Sequence, residues 1–305
     1  MGHAGVTEDL RPYAFAVAYR MLGEIGDSED LAQEALLRLY GAREAGERIE
    51  SPRAYLATVT TRLAIDHLRS ARVRRERYVG SWLPEPLVAG AGPDVAARAE
   101  LDDTLSMAFL VVLDTLGPVE RAVFLLHEVF DFGYAEIAEV VGRGEAACRQ
   151  IALRARRRVD ERRRRARPAP ERRDELSESF FAALHDGDVD GLVRVLADDV
   201  ELHGDGGGKV PALARSLHGA DRVARTLVNW SRVAARAGVT TVRARVNGQP
   251  GARFVDEEGR TLSVMAVDLG PEGVRAVHSV INPDKLGHVG PLADPEELGR
   301  RLRTR

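Results

Sequence analysis

The sequence predicts a multidomain chain, with two all-α helical modules followed by an α+β module. Three observations carry that expectation. Up to an arginine-rich run ending near Arg173, apolar residues recur at helical intervals. From Asp174 onward the texture changes, and three later segments alternate apolar with polar residues, as half-buried strands do. Two stretches rich in proline and glycine, Trp82–Pro86 with Gly90–Pro93, and Pro168–Pro170, break the chain between these parts.

In chain order, Arg11–Leu22 is amphipathic, and Asp27 or Ser28 is placed to cap a helix over Glu29–Tyr40. Ser51-Pro52 opens a third helix that runs through Leu68 into a basic cluster of Arg62, Arg69, Arg72, Arg74, Arg75 and Arg77. On the second helix Asp30, Gln33, Glu34 and Leu37 share one face, while Leu31, Ala35 and Leu39 fall on another. An acidic, glutamine-bearing face beside basic helices suits a protein partner or simply solvent. Leu101–Leu116 and Pro118–Val129 are expected as helices. In the tail, helices are expected at Glu175–His185, Val189–Leu196 and Gly219–Ala237, and strands at Val200–His203, Thr240–Val246, Arg260–Leu269 and Gly273–Val280. An antiparallel sheet packed on helices follows from that pattern.

The segment from Phe132 to Val159 is the most specific. Ile137, Ala138 and Val141 lie one helical turn apart, and Gly142-Arg143-Gly144 supplies a corner that tolerates positive φ. In the helix from Glu145, Cys148, Ile151, Ala152 and Ala155 repeat at i, i+3, i+4 and i+7, so Arg149, Gln150, Leu153, Arg154 and Arg156 lie opposite. That is a helix-turn-helix layout, whose second helix enters a major groove. Arginine and glutamine reach base edges bidentately, and flanking arginines such as Arg157 neutralise phosphates.

Composition bounds the rest. The chain has 305 residues, 44% hydrophobic and 30% charged, as ordinary globular proteins do. Its net charge of −3 excludes a uniformly basic coat protein, yet the arginines cluster in two places, as two footprints on one polyanion would require. The lone cysteine, Cys148, permits neither a disulfide framework nor a thiolate metal cluster. No metal or cofactor is expected. No apolar run approaches the ~18 residues of a membrane span, so a cytoplasmic protein with no membrane partner is expected.

These pieces together resemble an extracytoplasmic-function (ECF) RNA polymerase sigma factor, of the subgroup with a fused C-terminal domain of the SnoaL-like (NTF2-like) cone fold. Asp27–Glu34 is similar to the family's polymerase-gripping helix, and the Glu145 helix to its −35 reader. Three motifs carry the subgroup resemblance: Trp-Leu-Pro-Glu-Pro at 82–86, Asp-Gly-Gly-Gly-Lys at 205–209, and Asn-Pro-Asp-Lys-Leu at 282–286. Both lysines of the chain, Lys209 and Lys285, lie inside them.

The resemblance implies sigma region 2 over 5–76, a linker over 77–100, sigma region 4 over 101–166, the SnoaL-like regulatory domain over 174–290 and a tail over 291–305. It implies core RNA polymerase (β′ clamp and β flap) as partner of Asp30, Gln33, Glu34 and Leu37. Arg53, Arg62, Arg69, Arg72, Arg74 and Arg75 fall to the −10 element, with a flipped-base pocket around Glu50–Tyr55. Arg149, Gln150, Leu153, Arg154, Arg156 and Arg157 fall to the −35 element. A regulatory contact of the tail with the linker and the sigma domains would use Trp82, Pro84, Glu85, Asp205, Gly206, Gly207, Gly208, Lys209, Asn282, Pro283, Asp284 and Lys285. Trp82 is expected to dock on the glycine-rich turn, and the lysines to meet Glu85, Asp205 or Asp284.

Two other readings compete: a one-component DNA-binding regulator, and a cyclase- or isomerase-like enzyme fused to a DNA reader. The turn at 205–209 fails as a phosphate-binding loop, having His203 and Val210 where that motif needs glycine and Ser or Thr. His203, Asp205, His218, Asp268 and His278 are candidate acid–base groups without an evident base–orienter pair. No catalysis is expected.

Overall fold

The computed structural model describes residues 10–76, 78–91, 103–163 and 168–294, with the side chains of 71–76 and 161–163 outside the description. These fall into two units, one drawn from 1–77, 93–105 and 109–164, the other from 78–92, 106–108 and 165–305. The linker segment 78–91 therefore groups with the tail.

The first unit is helical. Helix α1 (Arg11–Leu22) stops at Gly23, whose φ of 72° is the left-handed cap that glycine adopts without strain. Helix α2 spans Ile25–Glu44, one turn earlier than expected, with Glu24 at the cap position. Ser28 lies inside the helix instead of capping it, its hydroxyl donating back to the Glu24 carbonyl. Helix α3 (Pro52–Glu76) starts on proline, which needs no intrahelical partner there. In place of one helix from Leu101 to Leu116, a 3₁₀ turn at Asp103–Leu105 precedes α4 (Met107–Leu113). Helices α5 (Pro118–Glu128), α6 (Tyr134–Val141) and α7 (Glu145–Arg163) follow. One core joins α1 and α3 to the last three, with Val17, Ala57, Val123, Leu126, Ile137 and Cys148 buried together. Arg121 is buried within this unit and donates to the carbonyls of Leu113 and Met21 and to Asp114. A buried guanidinium satisfied at three points fixes α5 against the end of α1.

The second unit is α+β. Helices α8 (Pro170–Asp186) and α9 (Val189–Val195) lead into β1 (Leu196–Asp205), longer at both ends than expected. After a short β2 (Leu217–His218) comes α10 (Ala220–Arg236), then β3 (Thr240–Val246), β4 (Gln249–Val255), β5 (Thr261–Gly270) and β6 (Gly273–Val280). The sheet order is β2-β1-β6-β5-β4-β3. All pairs are antiparallel except β1 with β6, which run parallel and place His203 opposite His278 and Asp205 opposite Val280. Strand β4 was not anticipated. It is returned from β3 by Asn247-Gly248, both at positive φ (51° and 72°), the turn that a two-residue hairpin requires. Phe180, Val200, Leu227, Val267 and Val277 anchor the core between helices and sheet.

Candidate functional site

In the first unit the recognition layout is realised. Glu136 reaches back to the Gly133 amide (2.8 Å), closing the start of α6, and Gly142 ends it at φ 65°. On α7, Cys148, Ala152, Ala155 and Val159 are at most 3% exposed, and Leu153 on the other face is 45% exposed. Burial pushes the Cys148 thiol up from its ordinary range, as fits a core residue. Arg149, Gln150, Arg154, Arg156 and Arg157 are all exposed. Arg149 pairs with Glu145 and lies 5.5 Å from the Tyr134 ring centre. Arg156 is 3.7 Å from Glu128. These are surface pairs of a kind that yields readily to a stronger anion.

The remaining arginines divide. Arg53 is exposed, 5.2 Å from the Tyr13 ring, and Arg69 is exposed beside Asp66 at 3.3 Å. Arg62 is exposed as well and has partners of its own. It donates to the carbonyls of Glu139 (2.9 Å) and Val140 (3.3 Å), and so binds the C-terminal end of α6, where a cation is favoured by the helix dipole. Arg72, Arg74 and Arg75 lie outside the described side chains. On α2, Asp30, Gln33, Glu34 and Leu37 are exposed along one face, Leu37 at 57%. Ala35 and Leu39 are buried behind it. Among the described residues, Glu24, Asp27 and His67 are the one group whose donor atoms converge as a cation would need. His67 already bonds Asp27 at 3.0 Å.

In the second unit the three motifs converge on one buried carboxylate. Asp205 is fully buried. Its Oδ1 accepts from the Tyr78 hydroxyl (2.5 Å) and the Gly207 amide (3.0 Å). Its Oδ2 accepts from the Leu83 amide (2.8 Å) and Lys285 Nζ (2.7 Å). Lys285 also donates to the Leu83 carbonyl and lies 4.3 Å from the Trp82 ring. Asn282 donates to the Tyr78 hydroxyl (2.9 Å), and its side-chain oxygen accepts from the Asp284 amide (3.1 Å). Burial, together with the bond to Asp205, raises the Tyr78 phenol above its ordinary value, so it stays protonated. Pro84 is buried and Glu85 partly so. Lys209 meets Asp284 (2.7 Å) in the open, the weaker member of the two lysine pairs.

Gly207 (φ 62°) and Gly208 (φ 72°) need the left-handed backbone, and a side chain at Gly207 would strike Asn282 within 2.4 Å. The linker continues across the tail. His288 Nε2 contacts the Pro86 carbonyl (2.8 Å), Leu87 and Asn247 exchange two bonds, and Val88 bridges Val246.

His203 sits between Glu201 (2.9 Å) and Ser216 (2.7 Å), and Asp268 pairs with Arg275 (3.0 Å). His278 stacks on His203 with ring centres 5.1 Å apart. Neither of its ring nitrogens has a hydrogen-bond partner, and burial pulls its pKa down to about 3. Tyr78, which bonds both Asp205 and Asn282 in this clasp of linker and tail, sits outside all three motifs, so the sequence pattern does not mark it.

Comparison with known proteins agrees with this architecture. Residues 6–74 match the Sigma-70 region 2 family and residues 106–159 match Sigma-70, region 4. The ECF RNA polymerase sigma factor SigJ of Mycobacterium tuberculosis is 38% identical, over 97% of this chain and 98% of that protein. The probable ECF RNA polymerase sigma factor SigI of the same species is 36% identical, over 90% and 92%. The crystal structure of M. tuberculosis SigJ superposes with a TM-score of 0.77 at 34% identity, covering 95% of this chain and all of that one. Among the described residues no helix is long and apolar enough to cross a membrane. The chain belongs to the ECF RNA polymerase sigma factors: an alternative sigma factor that works with core RNA polymerase at promoter DNA, and carries a SnoaL-like α+β domain behind its two sigma regions.

Proposed function

We propose that this sigma factor is held in a defined state by its own tail, through the clasp on Asp205. The observation that carries the reading is the dry pair of Asp205 and Lys285, at 0% and 8% side-chain exposure, with the linker main chain at Leu83 bonded to both. A buried ion pair is weak evidence for stability; in this reading its use, with its partners satisfied, is to hold one arrangement. Here the arrangement fixed is the course of the linker that connects the two sigma regions.

In the same reading, the exposed face of Asp30, Gln33, Glu34 and Leu37 grips the β′ clamp, and region 4 also meets the β flap. Arg53 and Arg69, with Arg72, Arg74 and Arg75, follow the −10 strand. Arg149, Gln150, Leu153 and Arg154 read −35 base edges, while Arg156 and Arg157 hold phosphates. The exposure of that row over a buried Cys148–Val159 face supports it. The protein acts in the cytoplasm, and the tail is regulatory, not an enzyme.

The test is transcription in vitro with core polymerase and full-length protein, comparing the parent with Asp205→Asn. Transcript yield from a cognate promoter should change severalfold while promoter sequence preference is retained. An unchanged yield at equal polymerase binding would remove the clasp from regulation.

A further inference from the structure

Behind the clasp, on the opposite side of β1, the second unit contains a cavity of about 460 Å³. It lies between α10 and the sheet, with Leu227, Trp230 and Ala234 on the helix side and Phe254, Leu262 and Met265 on the strand side. That volume is in the range of sites for drug-sized ligands, roughly 300–1,000 Å³. Among the described residues no ionisable side chain lines it. A charged occupant would lose its hydration without a counter-ion, so the lining selects a neutral one. Asn229 and Ser231 line the helix side, and Ser263 and Ser279, on adjacent strands β5 and β6, place two hydroxyls on the floor. They suit a carbonyl or hydroxyl at one edge of an apolar body.

The cavity shares its wall with the clasp. Strand alternation turns Gly204 toward the cavity and Asp205 toward the linker. Val210, Pro211 and Ala212, which leave the glycine-rich turn, form the cavity's lip. The turn has no slack: a Cβ on Gly206 would lie 2.1 Å from the Val210 carbonyl oxygen and 2.9 Å from the Ala212 side chain. Just past the end of the neighbouring strand β6, Ile281 lines the cavity, and its amide donates to the Asp205 carbonyl at 2.9 Å. An occupant that shifts the lip or Ile281 must shift the residues that hold the linker.

We infer that this cavity is a binding site for a neutral, mostly apolar small molecule, and that its occupancy is coupled to the linker clasp. The coupling half rests on the clasp reading above, whereas the binding half stands without it.

Prodan, a neutral naphthalene dye whose emission shifts blue in apolar surroundings, is a suitable probe for the full-length protein. Saturable one-to-one binding with a blue shift and energy transfer from tryptophan is expected. Ala234→Phe, which fills the cavity, should weaken it at least tenfold, and the milder Ala234→Leu severalfold, with unfolding midpoints reporting that each folds. Failure to saturate, or equal affinity in a folded filling variant, overturns the site.

Because coupling is reciprocal, Asp205→Asn should change prodan affinity at least threefold. Unchanged affinity overturns the coupling while leaving the binding site standing. Neither measurement involves polymerase, so their outcomes are separable from the transcription test of the clasp.

Discussion

The recognition helix and the clasp use charge in opposite ways. On α7 the arginines stand in water, and their pairs with Glu145 and Glu128 are exposed on both sides. In the clasp, Asp205 and Lys285 are dry, and their hydrogen-bonding capacity is turned to the linker and its neighbours. Outward charge serves partners that come and go, because a screened pair is easily exchanged for a phosphate. Inward charge serves one arrangement, because a buried ion cannot abandon its partner without a large desolvation cost.

Removing one buried partner breaks the comparison most severely. Asp205→Ala leaves Lys285 buried without a counter-charge and should destabilise the tail by about 3–5 kcal/mol, read as a fall in denaturant midpoint together with faster proteolysis at 78–91. Lys285→Met in the same background should recover part of that loss. Two losses that simply add would show that the pair is not coupled.

Truncating an exposed arginine has a smaller effect of another kind. Arg154→Ala should weaken binding to −35 DNA by about 1–3 kcal/mol at one base position, with folding stability unchanged. A loss equal on every sequence would assign Arg154 to phosphate instead.

The smallest effect sharpens the inner side of the contrast. His278 ordinarily titrates near 6.5 but is held to about 3 in the fold. The fold thus favours the neutral ring, so its contribution is complete above pH 6.5 and declines as pH falls toward 3. At pH 5.5 this loss is about 1 kcal/mol relative to neutral pH. His278→Leu should flatten that part of the stability profile, and a profile unaltered between pH 7 and 5 would contradict the burial argument.

The sequence disclosed these two regions unequally. The recognition helices were legible because both period and turn are local: Cys148, Ala152 and Ala155 repeat at helical spacing, and Gly142 marks the corner. Strand β4 escaped because Pro250 and Gly251 interrupt its alternation, although Asn247-Gly248 was a hairpin signal in plain view. The start of α2 was misplaced because a serine inside a helix looks like a cap until its hydroxyl is seen bonding backward. The clasp motifs were visible as residue types, and Lys285 with Asp205 was among the pairings expected. What local pattern could not supply was Tyr78, or the commitment of Arg62 to the end of α6. Both depend on contacts between segments far apart in the chain.

The parallel pairing of β1 with β6 has a consequence in time. Asp205 is translated well before Lys285, and the strand that brings the lysine to it is made only after the rest of the sheet. On the order of 120 residues separate the end of the recognition helix from that lysine, and a ribosome needs roughly 6–25 s to add them. During that interval each newborn molecule already has both promoter-reading modules but has no means of locking its linker. The clasp is therefore a property that a sigma molecule acquires with age, and a shortened chain ending before residue 280 would stay permanently young.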